Sequence, residues 1–172
     1  MVTIHDVAQG TPEWFALREE KWTGSTIIHL LKGKSLPKRV EFTSKHTERG
    51  KLLESPALMA YKVEKERDYI SVGFVTNSSW EGCGYSPDGI SGDTLLEVKC
   101  FNGDRHKMLL DEKIPAEIMA QIQFGLMICE LDKAQLIAYN PHDEDQQVLH
   151  IIDVPRNEKI IANIQAKLRE TP

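Results

Sequence analysis

Apolar and polar positions alternate along the chain with two spacings, and the switches between them predict the elements. In "GTPEWFALREEKW", Trp14, Leu17 and Arg18 fall on neighbouring turns of one helical face. Thr11 can cap this helix, Pro12 suits its first position, and Glu13 favours the positive end of its dipole. "TGSTIIHLLKG" starts a second helix, with Thr23 or Ser25 as its cap and Gly33 as its stop. A third helix is expected from Ser44 to Lys62, with Leu52, Leu53, Leu58 and Met59 as its apolar side and Glu54 in its middle. Residues 69–76, "YISVGFVT", read as a strand, and 82–90 with 94–100 read as a hairpin around "SGD". "PAEIMAQIQFGLMICEL", 115–131, is a mostly apolar helix opened by Pro115. "AQLIAYN" and "QVLHIIDV" are two further strands split by the polar turn "PHDEDQ". Residues 156–169 close the chain as an amphipathic helix with Ile160, Ile161, Ile164 and Leu168 inward. The order predicts an α/β fold of the mixed α+β kind, a central mixed sheet of about five strands flanked by helices. Nothing repeats and no linker interrupts the pattern, so 1–172 is expected to form one domain.

Composition narrows the class. Of 172 residues, 41% are apolar and 27% charged, ordinary for a globular domain with a real core. No apolar run approaches the roughly 20 residues that cross a bilayer. "MVTIHDVAQG" has no basic start followed by an apolar stretch, so it does not read as a secretory signal, and a cytoplasmic location without membrane contact is expected. Cys83, Cys100 and Cys129 are too widely spaced for a disulfide framework or a zinc knuckle. The net charge of −5 argues against non-specific coating of nucleic acid, but leaves room for a local basic groove. The most basic stretch, "KGKSLPKRVEFTSKHTERGK", carries Lys32, Lys34, Lys38, Arg39, Lys45, Arg49 and Lys51. It is either a solvated face or a contact to a DNA backbone.

The chemistry concentrates in "GYSPDGISGDTLLEVKC", 84–100. Strand side chains alternate, so Leu95, Glu97 and Lys99 share one face and Leu96, Val98 and Cys100 the other. A hairpin can bring Asp88 close to Glu97. Two carboxylates in a poorly solvated place repel unless a cation neutralises them. A hard divalent ion, Mg²⁺ with Mn²⁺ as its substitute, is the natural partner. The Val98 carbonyl could add a ligand, and Lys99 could hold a water or steady charge on a phosphate. An E-x-K pair by itself is commonly a surface salt bridge. The combination of Asp88, Glu97 and Lys99 between apolar flanks is far more specific.

"SPDG…LLEVKC" resembles the signature of the PD-(D/E)xK nuclease superfamily and, more narrowly, of the YqaJ-type viral recombinases, the phage lambda exonuclease family. "GTPEWFALREEKWTGSTI", "ERGKLLESPAL" and "PAEIMAQIQFGLMI" resemble further family stretches in the family's order. The resemblance implies a restriction-endonuclease-like core. It implies that Glu54 completes a metal site with Asp88, Glu97 and the Val98 carbonyl, and that Lys99 is the catalytic lysine. Gln121 would orient Lys99 or the attacking water; alternatively it pairs with backbone. Gln123 points to a different side of its helix and is the weaker candidate. Arg18 and Ser25 would bind a terminal 5′-phosphate, an arginine fork and a free helix start being suited to an anion. Otherwise Arg18 pairs with a nearby Glu and Ser25 only caps. Lys32, Lys34, Lys38 and Arg39 would contact the DNA backbone. Trp14, Trp22 and Trp80 are expected in or near the core.

The implied activity is Mg²⁺-dependent 5′-to-3′ digestion of linear double-stranded DNA, releasing 5′-mononucleotides and leaving 3′ single-stranded tails for phage-type recombination. The implied partners are double-stranded DNA ends, a single-strand annealing protein and further copies in a homotrimer ring, inside a bacterial host cell. Two other readings remain: an endonuclease of the same superfamily acting in repair or restriction, and a non-catalytic DNA-end-binding module.

Overall fold

The computed structural model describes residues 1–37, 45–142 and 147–170. Its elements run β1 (Val2–His5), α1 (Pro12–Arg18), α2 (Ile27–Leu31), α3 (Lys45–Lys65), β2 (Phe74–Asn77), β3 (Gly89–Ser91), β4 (Thr94–Lys99), α4 (Gly103–Leu110), α5 (Ala116–Cys129), β5 (Lys133–Tyr139), β6 (Leu149–Pro155) and α6 (Glu158–Glu170). The mixed α/β class expected from the sequence is the one observed. The described sheet has four strands in the order β3-β4-β5-β6, and β1 and β2 pair separately as a ribbon. β4 and β5 run parallel; β3–β4 and β5–β6 are antiparallel.

Helices cover both faces of the sheet. On one face Ala57, Leu58 and Tyr61 of α3 pack against Leu96, Val98 and Ile137. On the other, α5 and α6 enclose Leu95, Leu136, Phe124 and Ile161. Each fully buried side chain of this kind stabilises by about 1.5–3 kcal/mol. With both faces covered, β4 is buried almost end to end, which is why "TLLEVK" reads as a continuous run. It is also why a charged Glu97 inside it requires partners.

Several boundaries differ from the sequence reading, each for a local reason. Thr11 caps α1 as expected, accepting from the Trp14 N–H. The α2 cap is Thr26, not Thr23 or Ser25. The Thr26 and Ile27 N–H groups both donate to the Thr23 carbonyl, so a turn precedes the helix and Ser25 lies within it. Gly33 stops α2 as expected: at φ +68 its own N–H donates to Leu30 and that of Lys34 to His29. The strand expected at 69–76 shrinks to β2, because Ile70 bridges only Ile90. The first hairpin arm begins at Gly89, after a bend at Asp88, and the stretch before it makes only single bridges at Cys83 and Tyr85. The turn itself is Gly92-Asp93, with Gly92 at φ +60. β1 and α4 are additional elements. β1 buries neither face fully, and α4 buries only His106 and Leu109, so neither leaves a periodic apolar signature. Ser44, the predicted start of α3, and residues 143–146 of the "PHDEDQ" turn lie outside the described residues. Among the described residues no helix is long and apolar enough to cross a membrane.

Candidate active site

Alternation along β4 delivers Glu97 and Lys99 to the α5 face, as the sequence predicts. Glu97 is 1% exposed. Its Oε1 accepts from Lys99 Nζ at 2.5 Å and from Gln121 Nε2 at 2.6 Å, and its Oε2 accepts from Tyr85 Oη at 2.6 Å. Hydrogen bonds to a charged group contribute about 1.5–3 kcal/mol each, which is what makes a buried carboxylate tolerable here. Gln121 is thus bound to the acidic centre, and Gln123 is not. The Gln123 amide donates to the Pro155 carbonyl and accepts from the Asn157 N–H, tying α5 to the start of α6.

Asp88 sits at the bend before β3. The pairing of β3 with β4 stops at Gly89–Leu96, and beyond it the Asp88 carboxylate takes over the edge of β4, accepting from the Val98 N–H at 2.6 Å. The N–H and C=O of one strand residue leave on the same edge, so the Val98 carbonyl emerges there too. The loop carrying Asp88 is held from behind. Gln9 donates its amide to both the Val72 and the Pro87 carbonyls, at 2.9 and 2.8 Å. Glu54 approaches from α3, whose first half is braced onto the sheet by Arg49. That guanidinium donates to the Cys100 carbonyl at 3.2 Å and to Asn140 Oδ1 at 2.6 Å. Arg49, counted with the basic stretch, is therefore an internal brace.

Electrostatics links these groups. Burial, then the Glu97 and Glu54 charges, hold the Asp88 carboxyl well above the usual carboxylate range, against the pull of Lys99 and the Val98 N–H. Glu54 is raised by burial and then by Glu97. Burial acts to lower the Lys99 pKa, but the Glu97 and Asp88 charges outweigh it and the net shift is upward, so Lys99 stays an ammonium. Tyr85 is raised well above a normal phenol, by burial first and by Glu97 next, so it remains a donor. Three carboxylates face one ammonium, and every free donor is a hard oxygen. That set suits a hard divalent cation in kind and in charge. Among the described residues, however, no three His, Cys, Asp or Glu side chains are grouped tightly enough to cage an ion as they stand. Two are engaged elsewhere, Glu97 with its three donors and Asp88 with the strand edge.

Glu54 and Asp88 open into a cleft of about 1080 Å³ lined also by Trp14, Phe15, Lys51 and Tyr69. Arg18, at the end of α1, sits against Trp14 of that lining. Its guanidinium stacks 4.0 Å over the Trp14 ring and donates to Ser86 Oγ at 2.9 Å. Trp14 Nε1 donates to the same hydroxyl at 2.9 Å. Trp14 is half-buried and lines the cleft, whereas Trp22 lies in the core. Ser25 is exposed, with its hydroxyl 3.2 Å from Thr23 Oγ1. Lys32 and Lys34 are exposed at and beyond the end of α2; Lys38 and Arg39 lie outside the described residues. Sequence reasoning missed two residues. Ser86 opens the quoted "SPDG", and its signal was its place in the motif. Tyr85 had none, since an aromatic beside a glycine reads as core. Cys100, next to Lys99, is a thiol that burial pushes up to about 11, out of range of a nucleophile near neutral pH.

The family described as YqaJ-like viral recombinase domain matches residues 13–132, and the chain belongs to it. The fold is similar to that of an alkaline exonuclease from Laribacter hongkongensis, 24% identical, with a TM-score of 0.81 over 93% of this chain and 90% of that one. The structure of that exonuclease in complex with dAMP is similar at 25% identity and a TM-score of 0.82, with the same coverage of 93% and 90%. A phage related exonuclease from Haemophilus somnus 129PT shares the fold at 14% identity and a TM-score of 0.56, covering 95% of this chain and 85% of that one. No curated protein matches the sequence.

Proposed function

We propose that this chain is a divalent-metal-dependent exonuclease that digests linear double-stranded DNA from the 5′ end, with residues 1–172 acting as one nuclease domain. The observation that carries the reading is the acidic group along β4, where Asp88 accepts from the Val98 N–H, Glu97 accepts from Lys99 and Gln121, and Glu54 shares a cleft with Asp88. Membership of a viral recombinase family and the likeness to two exonucleases support it.

Glu54, Asp88, Glu97 and the Val98 carbonyl would hold Mg²⁺, or Mn²⁺ in its place. When bound, the ion supplies Lewis-acid stabilisation of charge on the phosphate. Lys99 donates hydrogen bonds to the attacking water and to the phosphate oxygens as their charge grows. The water oxygen bonds to phosphorus, the bond from phosphorus to the 3′-oxygen breaks, and that oxygen takes up a proton. A 5′-mononucleotide leaves, and the next nucleotide carries a new 5′-phosphate. A pocket that reads a terminal phosphate can therefore be used again at every step. Arg18 and Ser25 are the residues assigned to it, with Lys32 and Lys34 contacting the backbone. The product is a 3′ single-stranded tail suited to an annealing protein, in the host cytoplasm, with copies of this chain ringed around the duplex.

The test is a time course on linear duplexes carrying a 5′-phosphate or a 5′-hydroxyl and on closed circles, with and without Mg²⁺. Mononucleotide release is expected to be fastest from the phosphorylated linear duplex, slower from the 5′-hydroxyl duplex and absent from closed circles, and Lys99→Ala should reduce it by about 10²- to 10⁴-fold. Cutting of closed circles favours the endonuclease reading. Full activity in Lys99→Ala refutes the assignment.

A further inference from the structure

Tyr85 occupies a slot made by two absent side chains. A Cβ on Gly24 would meet the ring at 2.7 Å, and one on Gly125 of α5 would meet it at 2.6 Å. Phe124 closes one flank edge-on, with ring centroids 6.3 Å apart. The backbone is fixed as well: Tyr85 exchanges both hydrogen bonds with Val75 at 2.7 and 2.9 Å. A ring held at its Cα and on its sides leaves the hydroxyl one destination, Glu97 Oε2. The slot also borders the rest of the site. Gly24 precedes Ser25 and lies over the Gln121 side chain, which binds the other oxygen of Glu97, and Ser86 follows Tyr85 directly.

We propose that Tyr85 is a positioning residue for phosphodiester hydrolysis: wedged between Gly24 and Gly125, it fixes the orientation of the Glu97 carboxylate relative to Lys99 and Asp88. The proposal rests on the nuclease reading above. A core tyrosine whose hydroxyl merely finds an acceptor would predict only a change in stability on losing that hydroxyl. A group that orients a ligating carboxylate predicts a loss of metal affinity and turnover, of about 10- to 100-fold for such outer partners.

Tyr85→Phe removes one oxygen and keeps the ring. It is expected to bind Mn²⁺ about tenfold more weakly in calorimetry and to lower kcat about 10- to 100-fold, with KM for DNA nearly unchanged. Gly125→Ala keeps the hydroxyl but displaces the ring. It should show a similar loss and add little when combined with Tyr85→Phe. An active wild type beside a Tyr85→Phe variant of equal kcat and Mn²⁺ affinity, or with only a lowered Tm, overturns this proposal and leaves the nuclease reading standing. Additive losses in the double variant also overturn it. A wild type that neither cuts DNA nor binds Mn²⁺ removes the nuclease reading and this proposal together.

Discussion

Asp88→Asn removes one formal charge and almost no volume, and the structure dictates opposite effects on metal-free stability and on stabilisation by Mg²⁺. In the folded chain burial and the Glu97 and Glu54 charges raise the Asp88 carboxyl pKa well above normal. A carboxyl whose folded pKa exceeds its unfolded one favours folding fully below the unfolded value, about 3.9, and loses that contribution as pH rises through the folded value. Above it the ionised group works against the fold. Asparagine relieves the repulsion, and its Oδ1 can still accept the Val98 N–H. Each pK unit corresponds to about 1.4 kcal/mol, so a gain of at least ~1 kcal/mol is expected. For a chain of this size that is a rise of roughly 2–4 °C in Tm. Calorimetric melting in EDTA at alkaline pH should show it, and the gap should shrink as pH falls toward 4, roughly the unfolded pKa. Saturating Mg²⁺ should then stabilise the wild type, by roughly 2.7 kcal/mol at about a hundred times Kd, and the variant far less. A variant melting at or below wild type in EDTA, or gaining as much from Mg²⁺, would refute the reasoning.

Two further outcomes follow from contacts at the edges of the site. Arg18→Ala should slow digestion of a 5′-phosphorylated duplex about 10- to 100-fold, the effect of one charge-assisted contact, and leave a 5′-hydroxyl duplex unaffected; equal losses on both would remove Arg18 from end recognition. Arg49→Ala deletes the bonds to the Cys100 carbonyl and Asn140, and should lower stability by about 2–3 kcal/mol in urea unfolding. An unchanged midpoint would show that α3 is held without its brace.

Much of the site was legible because its logic is local. The period of a strand places Glu97 and Lys99 on one face, and the spacing of a hairpin brings Asp88 back to that strand. The long apolar α5 announces itself and carries Gln121 to Glu97. What stayed hidden depends on contacts far apart in sequence. Arg49 reads as one more surface cation until α3 is laid on β4 and β5. Ser86 acquires its partners only when α1 delivers Arg18 and Trp14 to it from 68 and 72 residues away. The α2 cap moved because the turn before it takes up Ser25, a choice made by backbone bonds at Thr23. β1 and α4 bury too little to show a period.

The slot around Tyr85 also ties three distant positions to a shared volume. A chain that filled either Gly24 or Gly125 would have to shed the phenol, and would then need another donor, or a bound water, for the freed oxygen of Glu97. Side-chain size at 24, 85 and 125 is therefore a collective variable, and drift at any one of them is steered by the other two.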